Sequence, residues 1–297
     1  MTNEKHAFLI MAHKVDKNFL TLLNLIDHPR VDIFIHMDSK NNEYSIEQVE
    51  REIKKSRVFH TERTNVSWGA YSQIHAELLL IEKATQMNHY RYYHLLSGSD
   101  LPIKSLDEIF SFFDNNYGKE FIRFESTKPN YNDRIELYHL FQEIIGRPKP
   151  SLKYYLNVLF LKIQKWFRIK RNVGIEFQKG TNWFSITDSL ARFVVSKIDW
   201  IKKTFRWSYC ADELFLQTIV HNSDYKLNLY HREYDNDLRA IQRLIDWDRG
   251  NPYTFRASDF EELINSEYLF ARKFDPQVDS NIINQLHKYI ENKQFKR

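Results

Sequence analysis

The feature that most limits the fold is a regular alternation in the first third of the chain. Ala7–Ala12 (AFLIMA) and Asp32–Met37 (DIFIHM) are short apolar runs of strand length, and Asn18–Asp27 between them reads as a helix. A second helix opens at Ser45, with Gln48 three places on as in a capping box, and runs to about Lys55. Then follow a strand over Arg57–Thr61, a long helix over Ser67–Gln86 and a strand over Tyr92–Leu96. A turn, Ser97–Pro102, leads to a helix over Leu106–Phe113 and a strand over Glu120–Phe124. Strands that alternate with helices through short connections predict an α/β domain with a largely parallel sheet.

The rest is less regular. Asn130–Arg171 reads as mostly helical, Asn182–Ile186 and Lys226–Tyr230 as strands, and Asp188–Lys197 and Ala211–His221 as helices. Asp246–Phe255 is a loop, and Ser258–Ser266 and Val278–Glu291 are terminal helices. No repeat or low-complexity linker divides the 297 residues, so one domain over 1–297 with a helical insertion is the simplest organisation.

Several chemistries are excluded. With 7 glycines and neither GxGxxG nor GxxxxGK[ST], the chain lacks the common phosphate-cradling loops. His75-Ala76-Glu77 begins like a deaminase zinc motif, but Cys210 is the sole cysteine, so neither that site nor an internal disulfide can form. The N-terminal stretch has no signal-peptide layout, and no apolar run approaches 18 residues. The expectation is a cytoplasmic protein that does not bind nucleic acid.

In open α/β sheets ligands bind beyond the carboxyl ends of strands. Three such ends carry polar residues: His13 and Lys14; His36, Asp38, Ser39 and Lys40; and Ser97, Ser99 and Asp100. Asp38 serves equally as a turn cap. Asp212 and Glu213 are adjacent at a helix start, where acids complement the helix dipole. Neighbouring helix positions diverge by about 100°, so the two cannot form a facing acid–base dyad, though one can act alone as a base. Arg272 and Lys273 lie between Phe270 and Phe274, which suits a partly buried rim that grips phosphate.

Taken in order, HAFLIMAHK, DIFIHMDSK, VSWGAYSQIHAELLLI, YHLLSGSDLPIKS, KGTNWFSITDSLARFVV, CADELFLQTIVHNS and LFARKFD resemble the core 2/I-branching β-1,6-N-acetylglucosaminyltransferases, a family that includes the peptide O-xylosyltransferases. The look is that of small bacterial members. The resemblance implies a GT-A-like nucleotide-sugar-binding fold with a mixed, mostly parallel sheet, a UDP-sugar donor, and inversion at the anomeric carbon. It implies no metal, since basic side chains replace the Asp-x-Asp motif. Asp38-Ser39-Lys40 departs from Asp-x-Asp in that sense. Glu213 falls on the family's base, with Asp212 the fallback. Arg272, Lys273 and Arg256 (or Arg249) fall to the diphosphate. His13, Asp38, Glu77, Ser99 and Asp100 are assigned to the donor. Trp183 is either a sugar platform or a core residue. The expected sugar is N-acetylglucosamine, with xylose or a hexose as alternatives. The expected acceptor is a cell-surface glycan or its lipid-linked precursor. A non-catalytic nucleotide-sugar- or membrane-binding protein is the competing class.

The net charge of +4 is unevenly placed. Eight cations and no acid lie within 147–171, which contributes +8 and leaves −4 to the rest. Leu152, Tyr155, Leu156, Leu159, Phe160, Ile163, Trp166 and Phe167 recur there at helical spacing. This basic amphipathic insertion either packs its stripe on the core or lies on an anionic membrane, which would make the protein peripheral on the inner face of the cell membrane.

Overall fold

The computed structural model describes residues 5–126 and 132–295. Asn130, where the central helical region was expected to begin, lies outside them, as do the first four residues of the N-terminal stretch. The elements run β1 (His6–Ala12), α1 (Lys17–Leu25), β2 (Val31–Met37), α2 (Ile46–Glu52), β3 (Arg57–His60), α3 (Tyr71–Met87), β4 (Tyr92–Ser97), β5 (Asp100–Pro102), α4 (Leu106–Asn115) and β6 (Phe121–Phe124). Then come α5 (Asn132–Glu136), α6 (Gln142–Ile145), α7 (Leu152–Trp166), β7 (Gly180–Thr187), α8 (Asp188–Ser196), α9 (Ile198–Phe205), α10 (Phe215–His221), β8 (Arg243–Ile245), α11 (Phe260–Asn265), β9 (Phe270–Arg272) and α12 (Ser280–Phe295).

The main sheet has the order β3-β2-β1-β4-β7-β6. The first four are parallel neighbours, and β7 runs antiparallel between β4 and β6. The sheet is therefore mixed and mostly parallel, as expected. Its central strand is apolar on both faces: Ala7 and Leu9 join one core cluster, Phe8 and Ile10 the other. A second sheet, β5-β9-β8, was not legible in the sequence. Its strands have three residues each, too short for an alternating pattern.

Helix ends follow local chemistry. Asp16 caps α1 by accepting from the Phe19 amide at 3.0 Å. Ser45 caps α2 as expected. That helix stops at Glu52 because the amides of Lys54, Lys55 and Ser56 turn to the Asp27 carboxylate. α3 begins at Tyr71 rather than Ser67, because Gly69 takes φ +71 in a turn before it.

Two expectations need correction. Lys226–Tyr230 is not a strand: Asp224–Asn228 forms a 3-10 turn, and only Leu229 bridges to Glu120. Leu227 faces solvent, so the alternation reported no buried face. Ala211–His221 is not one helix. Ala211–Glu213 is a 3-10 turn, and Leu214, at φ −128, separates it from α10. A three-residue turn has little dipole, so the two acids are not there to complement one.

Candidate active site

The expected residues fall in two groups, one just beyond the carboxyl end of β4 and one around the 3-10 turn Ala211–Glu213. The first is built on the small sheet. Asp100 in β5 pairs in register with Arg272 in β9. The buried Asp100 carboxylate accepts from the Ser97 amide at 2.7 Å and the Ser97 hydroxyl at 3.0 Å, and lies 3.4 Å from the Arg272 guanidinium. That guanidinium sits 4.1 Å over the Trp183 ring. Arg272 is thus fixed by a carboxylate and a ring face. Lys273, next along, makes no ion pair among the described residues, and its backbone is tied to Tyr253 and Phe255. Ser99 is held to the same corner by its carbonyl, which accepts from the Phe274 amide at 2.9 Å.

The second group centres on the 3-10 turn. Cys210 adopts a left-handed conformation (φ +46) and its amide bonds to the Gly69 carbonyl at 2.8 Å. The turn then sends its two acids to different places. Asp212 is 7% exposed and its Oδ2 accepts from Gln73 Nε2 at 3.3 Å. Burial, then the charge of Glu213, pushes its carboxyl up to about 7. The wholly buried Glu77 of α3 lies within its field and is itself raised by burial and by Asp212. Asn182 offsets part of the rise at Glu77 through its side chain, and Asp212 Oδ1 has no hydrogen-bond partner among the described residues. Glu213 instead has a 38% exposed side chain, with Arg134 at 3.1 Å and Lys179 at 3.4 Å.

The start of β7 joins the groups. Lys179 just before it touches Glu213 and Glu125, and Trp183 within it carries Arg272. Four extended residues span roughly 13 Å. Gly180 makes this approach possible, since a Cβ there would stand 1.8 Å from the Arg123 carbonyl oxygen of β6.

Other expected residues are placed less directly. Asp38 caps a turn through the Lys40 amide (2.9 Å) and pairs with Lys40 Nζ (3.1 Å). His13 is exposed just past β1, its carbonyl taking a bond from Asn41 at 3.1 Å. Arg256 is exposed one residue beyond Phe255, whose amide bonds to the Lys273 carbonyl. Arg249 is engaged by Asp246, Asp259 and Glu262, which leaves it no free fork for a phosphate. Trp183 is 8% exposed and has one face covered, whereas Trp247, 50% exposed, lines a cleft of about 490 Å³ with Arg123, Leu244 and Asp246. Among the described residues one group could converge on a cation, His231, Glu233 and Asp235, and it includes none of the expected site residues.

Sequence reasoning missed Arg134 and Lys179, whose importance lies in meeting Glu213 across 79 and 34 positions, and it missed Arg243. Arg243 is fully buried and donates to the carbonyls of Leu95 (3.1 Å) and Phe184 (2.6 Å), bracing β4 to β7 beneath the site. Burial pulls its guanidinium down to about 9. No local pattern marks such a residue.

The family model described as Core-2/I-Branching enzyme matches residues 6–266. The chain belongs to the Core-2/I-branching enzyme family. It is 25% identical, over 312 aligned positions, to a mouse (Mus musculus) beta-1,3-galactosyl-O-glycosyl-glycoprotein beta-1,6-N-acetylglucosaminyltransferase 3, covering 97% of this chain and 68% of that protein. It is 23% identical to the xylosyltransferase oxt of Drosophila melanogaster over 91% of this chain, which is 31% of that longer protein. Mouse xyloside xylosyltransferase 1 in its apo form superposes with a TM-score of 0.37 at 11% identity, over 90% of this chain and 96% of that one, a likeness too loose to argue from.

Proposed function

We propose that this chain is an inverting glycosyltransferase of GT-A-like fold, one catalytic unit with a helical insertion at 147–171. It moves a sugar from a UDP donor to a hydroxyl of a glycan or its lipid-linked precursor. N-acetylglucosamine is the leading sugar and xylose the second. Beyond family membership, one observation carries the reading: an accessible carboxylate, Glu213, reached by Lys179, and a fixed cation, Arg272, stacked on Trp183, attach to the same short stretch of chain at the start of β7, with Lys273 next to Arg272 in sequence.

Inverting transfer needs those two things. Glu213 takes the proton of the acceptor hydroxyl as its oxygen attacks the anomeric carbon and the bond to the diphosphate oxygen breaks. Negative charge then grows on the leaving UDP, and Arg272 and Lys273, with Arg256 nearby, meet it without reorganising. Lys40 stands where a metal-binding acid would be needed and already pairs with Asp38, which favours side-chain cations over a metal. Asp100 acts by holding Arg272; His13, Asp38 and Ser99 remain donor-side assignments, whereas Glu77 is wholly buried and is placed beside Asp212 rather than against a donor. Trp247 suits an acceptor platform better than Trp183, being accessible.

Asp212 is the second reading for the base, favoured by its carboxyl lying near neutrality. Its burial against Gln73 and Glu77 disfavours contact with an acceptor. Glu213→Gln should bind UDP-sugar normally and lose turnover by about 10²–10⁴-fold. Full turnover in that variant refutes the assignment. Loss of turnover in EDTA, restored by Mn²⁺, refutes side-chain-only stabilisation. A thermal-shift panel of UDP-sugars names the donor.

A further inference from the structure

α7 is attached to the protein by its polar residues. Its two buried side chains are Asn157 and Gln164. The Gln164 amide clasps the Tyr138 backbone, accepting from its N–H at 2.8 Å and donating to its carbonyl at 3.0 Å. The apolar residues point the other way. Leu152, Tyr155, Leu156, Leu159, Ile163, Trp166 and Phe167 are all exposed, Trp166 at 84%. At about 100° per residue they share one face. A helix that packed on the core would bury this stripe, and α7 does not. Ile144 before it and Ile169 and Val173 after it extend the exposed apolar surface.

The charges decide what covers it. Lys153 and Lys162 fall on opposite edges of the stripe, and Arg147, Lys149 and Arg168 flank its ends, all exposed. None of these five has an ion pair among the described residues. Lys165 and Lys170 are paired to Asp133 and Glu136, and Arg171 is buried against Thr204 and Ser208. With no acid between Glu143 and Glu176, a second copy of the same face would meet like charge. An apolar stripe rimmed by unpaired cations matches an interface of acyl chains beneath anionic headgroups.

We propose that α7 and its flanks form a docking surface for an anionic lipid bilayer. The helix, roughly 22 Å long, lies in the headgroup plane with Trp166 and Phe167 inserted. The same insertion positions the site: α5 holds Arg134 on Glu213, and Lys165 and Lys170 tie α7 and its C-terminal extension to α5. Docking therefore tethers α5 and Glu213, behind the helix, at the surface on which a lipid-linked acceptor hydroxyl would be presented; this second step rests on the sugar-transfer reading above.

The test is co-sedimentation of the full chain with phosphatidylcholine vesicles, with and without phosphatidylglycerol. Binding is expected only with the anionic lipid and should weaken as salt rises, by roughly fivefold for each cation that salt screens from the headgroups. The double variant Trp166→Ser, Phe167→Ser should bind at least about tenfold more weakly, with an unchanged unfolding midpoint, since both rings are solvated in the free protein. Absent binding, equal binding to neutral vesicles, or undiminished binding by the double variant overturns the proposal. So does a concentration-dependent dimer, seen by light scattering, that the double variant abolishes. Sugar transfer is not read in any arm, so failure here and failure of the transferase reading are separable.

Discussion

Replacing Asp212 by Asn removes a buried charge that lies in the field of Glu213 and Glu77. In the folded chain the Asp212 carboxyl sits at about 7, against an ordinary 3.8, because burial and then Glu213 disfavour its charged form. The folded state therefore holds this proton to a higher pH than the unfolded chain does. Between about pH 4 and pH 7 the folded state binds more protons, so stability falls as pH rises through that window. Above pH 7 the full cost is present. About three pH units at 1.36 kcal/mol each set a ceiling of about 4 kcal/mol. Relaxation around the charge, and the need of the Asn amide for partners, reduce what the variant recovers to roughly 2 kcal/mol at pH 8. At pH 4.5 the folded Asp212 is protonated but the unfolded one is mostly ionised, so about 1 kcal/mol of the cost is already present, and the advantage of the Asn variant should be smallest there. Urea unfolding at pH 4.5, 6 and 8 measures this. A difference that does not change with pH, or an Asp212→Asn protein less stable than the parent at pH 8, refutes the reasoning. Turnover on the same samples also tests the base assignment: loss with Asp212→Asn but not with Glu213→Gln would exchange their roles.

Glu77→Gln should stabilise in the same direction above neutral pH, and the double variant should gain less than the two singles together, because each charge is part of the other's cost. Arg272→Lys keeps the charge but loses the guanidinium's placement beside Asp100 and its stacking on Trp183; the KM for the UDP-sugar should rise about tenfold, and an unchanged KM would remove Arg272 from the donor site. Gly180→Ala drives a methyl into the Arg123 carbonyl, so stability should fall by roughly 3 kcal/mol in thermal or urea unfolding, and a loss under about 0.5 kcal/mol would mean β6 can move aside. Arg243→Met strips the carbonyls of Leu95 and Phe184 of their donor and should cost roughly 3 kcal/mol by the same measurements.

The N-terminal α/β half was legible because each strand and helix there buries a face that its own residues encode. The run Ala7–Ala12 is apolar on both sides because β1 lies mid-sheet, and Ser45 announces a helix start by accepting from its third amide. The reading weakened where burial is not periodic. Lys226–Tyr230 has strand composition but only an edge bridge, and β8 and β9 are too short to show a period.

For the site, the sequence by itself determined the inventory: a pair of acids, a pair of cations between aromatics, and one long basic segment. Tertiary structure alone decided their use. Asp212 and Glu213 are neighbours in sequence, yet one is sealed against Glu77 and the other reaches solvent beside Arg134 and Lys179, because a left-handed residue and a three-residue turn separate their directions. Arg134 and Lys179 carry no local mark, since their meaning is a meeting across long stretches of chain. The spacing in 152–167 told that a stripe existed, and only packing told that it faces outward. Periodicity fixes which residues share a face of a helix; which face meets the core is settled by what the rest of the chain brings to it, here the Tyr138 backbone clasped by Gln164.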